Sequence, residues 1–317
     1  MIISSNLFEN VLVSPVLHGA NRLCIVSGYA TAAMAFAHLL NAKEKKQNIN
    51  IHLLVGMCPG DGISVSNHRG FKKLAEDDFP DSFQCSYISK TPAVHSKVYA
   101  WLRNDNPILG FAGSANYTQN AFGGKQREAM ITCRSKFAFD YYQSLLPDSV
   151  CCTHNDVDNL IKIYSDRREK QRMGDTQSLP SHLFGLENVK VSLLTTAGVV
   201  PSISGLNWGQ RENRDRNQAY IALRSNVYKT NFFPERKVHF TVLTDDEKTM
   251  ICTRAQDNGK GIHTPHNNAL IGEYFRNRLG LSSGAVVTRD HLERYGRTDV
   301  AFYKIDDETY YMDFSTT

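Results

Sequence analysis

Ala93-Val-His-Ser-Lys-Val-Tyr-Ala-Trp-Leu102, then Ile108-Leu-Gly-Phe-Ala112 running into Gly113-Ser-Ala-Asn116, is the stretch on which both fold and chemistry turn. Its aliphatic, β-branched and aromatic residues are those that fit pleated, half-buried strands. Alternate side chains on a strand share a face, so His95, Lys97 and Tyr99 are expected to project together. Extended backbone likewise brings Ser114 and Asn116 to one side. Glu128 is expected to open a further strand, Glu128–Thr132.

Working outward, Arg22–Ser27 reads as a buried strand ended by Gly28-Tyr29, and Ala30–Lys46 as a helix with Met34, Phe36, Ala37, Leu39 and Leu40 on its apolar positions. Asn50–Gly56 and Phe83–Ile88 are further strands. Strands alternating with helices predict an α/β domain, a mixed sheet flanked by helices. The pattern changes after about residue 165. The charged run Asp166–Gly174 and the polar, proline-containing Asp175–Ser181 read as a helix end and linker. The expected division is residues 1–172, a linker at 173–187, and 188–317. The last part carries strands at Val189–Leu194, Gln218–Leu223, Lys237–Leu243, Thr249–Arg254 and Ala301–Ile305, with one helix, Asn268–Arg278, capped by Gly280. Short strands with long polar loops predict a β-rich, partly open barrel. A chain of 317 residues suits two such domains.

Composition narrows the class. The net charge of +4 permits a nucleic-acid partner without arguing for one. The seven cysteines include no Cys-x-x-Cys pair, which fits neither a zinc ribbon nor a disulfide framework, so reduced thiols and no metal site are expected. No apolar run approaches the roughly 20 residues that span a bilayer, and the N-terminus lacks a signal-peptide pattern. A soluble, cytoplasmic protein with no membrane association is the expectation.

An imidazole, an ammonium, an amide, a hydroxyl and a carboxylate on one face suit attack on a phosphodiester. His95 can attack phosphorus. Lys97, Asn116 and Ser114 can hold the equatorial oxygens, and Glu128 can fix an imidazole tautomer through its second ring nitrogen. His-x-Lys followed by Gly-Ser-x-Asn resembles the signature of the phospholipase D superfamily, and especially its single-motif nucleases. That resemblance implies a covalent phosphohistidine, no metal, and a homodimer through the nuclease domain, because the chain carries one motif where the chemistry uses two histidines. The usual pattern also places an Asp where this chain has Leu102, a loss shared by restriction-enzyme branches.

The second half is read as a DNA-contacting domain from two loops. The first, Gly205–Gln218, carries Asn207, Trp208, Gln210, Arg211, Asn213, Arg214, Arg216 and Asn217; the second carries Arg254, Gln256, Asp257, Asn258 and Lys260. Arg, Asn and Gln are the side chains that read guanine and adenine edges, although Arg and Lys also hold phosphates. Gly-Leu-Asn-Trp-Gly-Gln-Arg, Ala-Gln-Asp-Asn-Gly-Lys and Gly-Glu-Tyr-Phe-Arg-Asn-Arg-Leu-Gly resemble the C-terminal domain of NgoFVII-family restriction endonucleases. The resemblance implies a phospholipase D-like nuclease joined to a plant-transcription-factor-type pseudobarrel that binds double-stranded DNA, the two loops being its recognition arms. It further implies that any ATP requirement enters through a separate helicase-like translocase, alongside a cognate DNA methyltransferase, since the chain has no Gly-x-x-x-x-Gly-Lys-Ser/Thr phosphate loop. A lipid phosphodiesterase and a non-catalytic DNA-binding protein that keeps the nuclease fold for dimerisation are the competing readings.

Overall fold

The computed structural model describes residues 2–165, 183 and 185–316. The chain forms two compact units, Met1–Asp166 and Arg167–Thr317. Most of the linker expected at 173–187, and the charged run before it, lie outside the described residues.

Among the described residues, ten strands belong to the first unit: β1 (Ile2–Ile3), β2 (Arg22–Ser27), β3 (Asn50–Val55), β4 (Ile63–Ser64), β5 (Phe83–Ile88), β6 (Val98–Arg103), β7 (Asn106–Gly113), β8 (Met130–Cys133), β9 (Ser149–Cys151) and β10 (Ile163–Tyr164). Eight of them make one mixed sheet, in the order β1-β8-β7-β6-β2-β3-β5-β9. β2, β3 and β5 run parallel, and their near-continuous apolar sequences reflect burial on both faces. The helix Ala32–Glu44, capped by Thr31 accepting from Met34 N, lies on the Tyr99–Trp101 side, where His38 meets the Trp101 and Tyr117 rings edge-on. On the other side Ala138 and Tyr142 of the helix Ser135–Leu145 pack with Cys24, Val26, Ala100 and Leu102. Leu102 is fully buried there.

The topology gathers one set of strand ends. β6 is antiparallel to β2, β7 to β6, and β8 to β7. The C-terminal end of β2, the entry to β6, the exit from β7 and the entry to β8 therefore share one sheet edge. His95–Lys97, Ser114–Asn116 and Glu128 all lie at that edge, but in extended connections outside the strands: β6 begins at Val98 and β8 at Met130, later than the sequence suggests. The backbone that carries the reactive groups leaves the ladder so that it can face outward.

The second unit is a seven-stranded sheet of β11 (Asn188–Ser192), β12 (Ile221–Ala222), β13 (His239–Thr244), β14 (Thr249–Ala255), β15 (Gly261–His263), β16 (Asp299–Lys304) and β17 (Thr309–Asp313), in the order β11-β16-β17-β13-β14-β15-β12. Only β13–β17 is parallel. The sheet curls until its two edge strands, β11 and β12, approach without a ladder between them. Arg224 bridges that seam by donating to the Leu194 and Thr195 carbonyls. Phe233, Phe240, Phe302, Tyr310 and Phe275 fill the interior. The helix Leu270–Arg278 ends as its sequence predicts, with Gly280 at φ +65° and Leu281 N bonded to Arg276 O. A second helix, Arg289–Tyr295, and strand β17 have no counterpart in the sequence reading.

Candidate active site and DNA-reading arms

The reactive edge is built around Ser27 and Gly28 at the end of β2. Gly56 N donates to Ser27 O and Val94 N donates to Gly56 O, which staples the segment before His95 onto the sheet. Gly28 borders His95 so closely that a Cβ there would stand 2.9 Å from the imidazole Cδ2. Lys97, 8% exposed, directs Nζ to His95 Nε2 at 3.0 Å and to the His95 carbonyl at 2.6 Å. An ammonium only donates, so the accepting Nε2 carries the lone pair and the ring proton sits on Nδ1. That is the tautomer a phosphorus-attacking imidazole needs.

Asn116 Oδ1 accepts from Tyr29 N at 3.1 Å and from the Ser27 hydroxyl at 3.4 Å. Its amide is oriented by these donors, and Nδ2 is left to donate outward. Tyr99, expected beside His95, is instead fully buried, and its hydroxyl holds the Ala115 carbonyl from below. The Ser114 hydroxyl donates to Glu128 and accepts from Ala129 N. Glu128 is thus bonded to Ser114 rather than to the His95 ring, and the Ser114 hydroxyl already has partners on both sides.

In the sequence Ser27 and Tyr29 stand at a strand end that can border a ligand crevice, although a plain strand-to-helix turn is the simpler reading of both, and Asp61 gives no signal. Ser27 is fully buried, receives Tyr117 N and donates to the Tyr29 carbonyl. The Tyr29 ring stands edge-on to His95 at 6.0 Å, with its hydroxyl on Asp61 at 2.5 Å. The one available signal was position, since groups at the C-terminal end of a central parallel strand border the ligand crevice of such sheets.

Burial pulls Lys97 below the ordinary lysine range, and the nearby Glu128 carboxylate pushes the other way. Loss of the ammonium as pH rises therefore comes at a lower pH than for a solvated lysine. Removing the Glu128 charge should move it lower still. A pH–rate profile of Glu128→Gln should show its alkaline limb displaced toward neutrality; an unmoved limb would separate Glu128 from Lys97 electrostatically. Among the described residues no three His, Cys, Asp or Glu groups converge on a point that could hold a metal ion, and all seven cysteines are free thiols.

In the second unit the arms divide into anchors and outward residues. Asn207, expected to contact DNA, is 1% exposed; its amide donates to the Pro201 and Val287 carbonyls and accepts from Val287 N. Arg254, likewise expected, directs its guanidinium to the Gly259, Pro234 and Tyr228 carbonyls. Both groups close loops instead of facing solvent. Gln210 donates to the Arg216 and Gly284 carbonyls, and Asn217 bonds Ser283 and Gly284. Beneath them the buried Arg276 ties the Leu206, Gly272 and Ala285 carbonyls together. Outward lie Arg211, Asn213, Arg214 and Arg216 in the first arm and Gln256, Asp257, Asn258 and Lys260 in the second. Arg214 lies 3.9 Å above the half-buried Trp208 ring and donates to Gln218.

A phosphodiester-suited edge on one unit, and a curled β-barrel with amide- and arginine-rich arms on the other, define a nuclease domain joined to a DNA-binding domain. Residues 5–159 match the NgoFVII restriction endonuclease N-terminal PLD domain, and residues 181–306 match the NgoFVII C-terminal B3-like DNA-binding domain. The chain belongs to the NgoFVII restriction endonuclease family and is a phospholipase D-superfamily deoxyribonuclease. Similar solved structures include NucT from Helicobacter pylori (15% identity, 48% of this chain and 97% of that one, TM-score 0.34). Nuc from Salmonella typhimurium, a phospholipase D family member, is similar at 17% identity over 48% of this chain and 95% of that one, TM-score 0.35. Polyphosphate kinase from Porphyromonas gingivalis shares 13% identity over 52% of this chain and 24% of that one, TM-score 0.32. No curated protein matches significantly. The match of the second unit to a DNA-binding domain removes the lipid-phosphodiesterase reading. No helix among the described residues is long and apolar enough to cross a membrane.

Proposed function

We propose that the protein recognises a short duplex sequence with its C-terminal arms and hydrolyses phosphodiester bonds, without a metal ion, through a phosphohistidine on His95. The observation that carries this reading is the 3.0 Å approach of Lys97 Nζ to His95 Nε2 at an open sheet edge. A phosphate oxygen that takes over the Lys97 ammonium releases the Nε2 lone pair onto phosphorus. Asn116 Nδ2 donates to a second oxygen, and the bond between Ser114 and Glu128 braces the segment that carries Asn116. Attack forms the phosphorus–nitrogen bond as the bridging oxygen leaves and takes a proton from the partner's His95, which enters the step as the doubly protonated imidazolium and leaves it neutral. Water then attacks phosphorus, returns a proton to that second imidazole, and the electron pair of the broken phosphorus–nitrogen bond goes back to Nε2.

One His-x-Lys motif per chain makes a second copy necessary for the leaving-group proton. Exposed apolar groups flank the edge in support: Ile2 and Ile131, paired across β1–β8, and Phe137 and Tyr141 on the helix Ser135–Leu145. Tyr141 reaches Ser96, the neighbour of His95, at 2.9 Å. Aliphatic and aromatic side chains clustered beside a half-complete site fit a symmetric, self-complementary interface. In this reading ATP enters only through a separate translocating subunit, and a cognate methyltransferase protects host DNA.

Plasmid cleavage should persist in EDTA, and a radiolabelled duplex should leave an acid-labile adduct on the protein; cleavage that requires added divalent cation rejects the mechanism. Ile131→Asp combined with Phe137→Asp should yield monomers that bind duplex but do not cut. A cutting monomer would contradict the shared site.

A further inference from the structure

At the base of the second arm lies a wide-mouthed cleft of about 630 Å³ lined by Tyr228, Lys229, Glu235 and Arg236 together with Arg254 and Asn258 of the arm itself. Three cations face one carboxylate there. Arg254 is occupied by carbonyls, but Lys229 and Arg236 are exposed and make no ion pair with any described residue. Lys260 adds a further ammonium at the rim, 5.7 Å from the Tyr228 ring centre. Cationic side chains held around a concavity without carboxylate partners focus positive potential into it.

The cleft is also fixed to the arm tip. Gln256 and Asn258 both adopt positive φ, +65° and +60°, which L side chains rarely do. The Arg254 guanidinium holds this conformation by bridging Gly259 O to the carbonyl of Tyr228, in the cleft wall, and to that of Pro234, next in sequence to Glu235 of the wall. An anion in the cleft and the outward groups of Gln256 and Asn258 are thereby set in one frame.

We propose that Lys229 and Arg236 form a phosphate-binding site for the DNA backbone, which seats the duplex so that the second arm meets its bases. The proposal rests on the DNA-reading role of this unit and adds contacts that belong to neither arm. Phosphate contacts carry no sequence information, so they should act alike on every duplex. Each neutralised phosphate steepens the dependence of log affinity on log salt by roughly 0.9.

The test is a salt titration of duplex binding by the full chain, with Lys229→Ala/Arg236→Ala, the charge-conserving Lys229→Arg/Arg236→Lys, and Asn258→Ala. Two duplexes are used, one of mixed sequence and one enriched by selection on the unaltered protein. The double alanine variant should lose affinity by the same factor on both, with a slope shallower by roughly two; the charge-conserving pair should restore it. A methylphosphonate scan should reveal a neutralised linkage that weakens the unaltered protein but not the double alanine variant. Competition by inorganic phosphate alone, with no change in duplex slope, would assign the cleft to a free anion and overturn the proposal. An unchanged slope, or a loss confined to the selected duplex, would do the same. Should the unaltered protein bind neither duplex, the DNA-reading role itself fails, whereas normal binding lost in Asn258→Ala but not in the double variant rejects this cleft alone.

Discussion

His95→Ala is expected to abolish cleavage, by on the order of 10⁴–10⁶-fold, while leaving duplex affinity at its original value, because a lost covalent nucleophile removes the chemical step and not the binding surface. The side chain is exposed at the sheet edge, so its truncation leaves no buried cavity. Mixing gives the sharper readout. If each scissile phosphate requires imidazoles from two copies, a dimer with one altered chain is as inactive as one with two. Random reassociation of equal amounts should then leave about a quarter of the activity, as expected for pairing in a twofold dimer. Half the activity would mean that each chain cuts alone, and full cleavage by His95→Ala would remove His95 as the nucleophile.

Gly56→Ala is expected to lower the rate by about 100-fold, the penalty of misplacing a reacting group by about an ångström. An added Cβ would fall 1.9 Å from the Val94 carbonyl oxygen, a backbone atom that cannot rotate away. The Val94–His95 segment must shift, and with it the Lys97–Nε2 contact. Overpacking of this kind costs about 1–3 kcal/mol, so a lower melting temperature should accompany the loss. Gly60→Ala is the control, since a Cβ there meets nothing within 4 Å. Wild-type cleavage by Gly56→Ala would show that this close approach does not set the position of His95.

The sheet of the first unit was legible because burial writes itself into composition. Arg22–Ser27 and Phe83–Ile88 have the bounds their apolar runs suggest. The reactive segment was legible in its residue types but not its backbone. His95 and Lys97 converge as alternate positions on an extended chain should, yet outside the ladder, and nothing in Ala93–Leu102 marks where pairing begins. The position of Ser27 and Tyr29 at a strand end was legible, but their contacts with Asn116, His95 and Asp61 were not, because these form only across segments far apart in sequence. In the second unit, Thr309–Asp313 pairs with the distant His239–Thr244, and Arg289–Tyr295 buries only Leu292, too little for a periodic signal. Loop composition also overstated the arms: amide and guanidinium groups serve loop closure as well as they serve base edges, and Asn207 and Arg254 do the former.

That division of labour makes the first arm a replaceable cassette. Asn207, Gln210 and Asn217 lock its two ends to the 281–288 segment through backbone carbonyls and amides. The ends of the loop are consequently held by groups other than those at 211, 213, 214 and 216, which add only local contacts within the loop: Arg211 to the Ile203 carbonyl, Arg214 to Gln218 and Arg216 to Gln210. Libraries randomised at those four places, with the three locking amides retained, offer a route to retargeted variants that keep the parental scaffold.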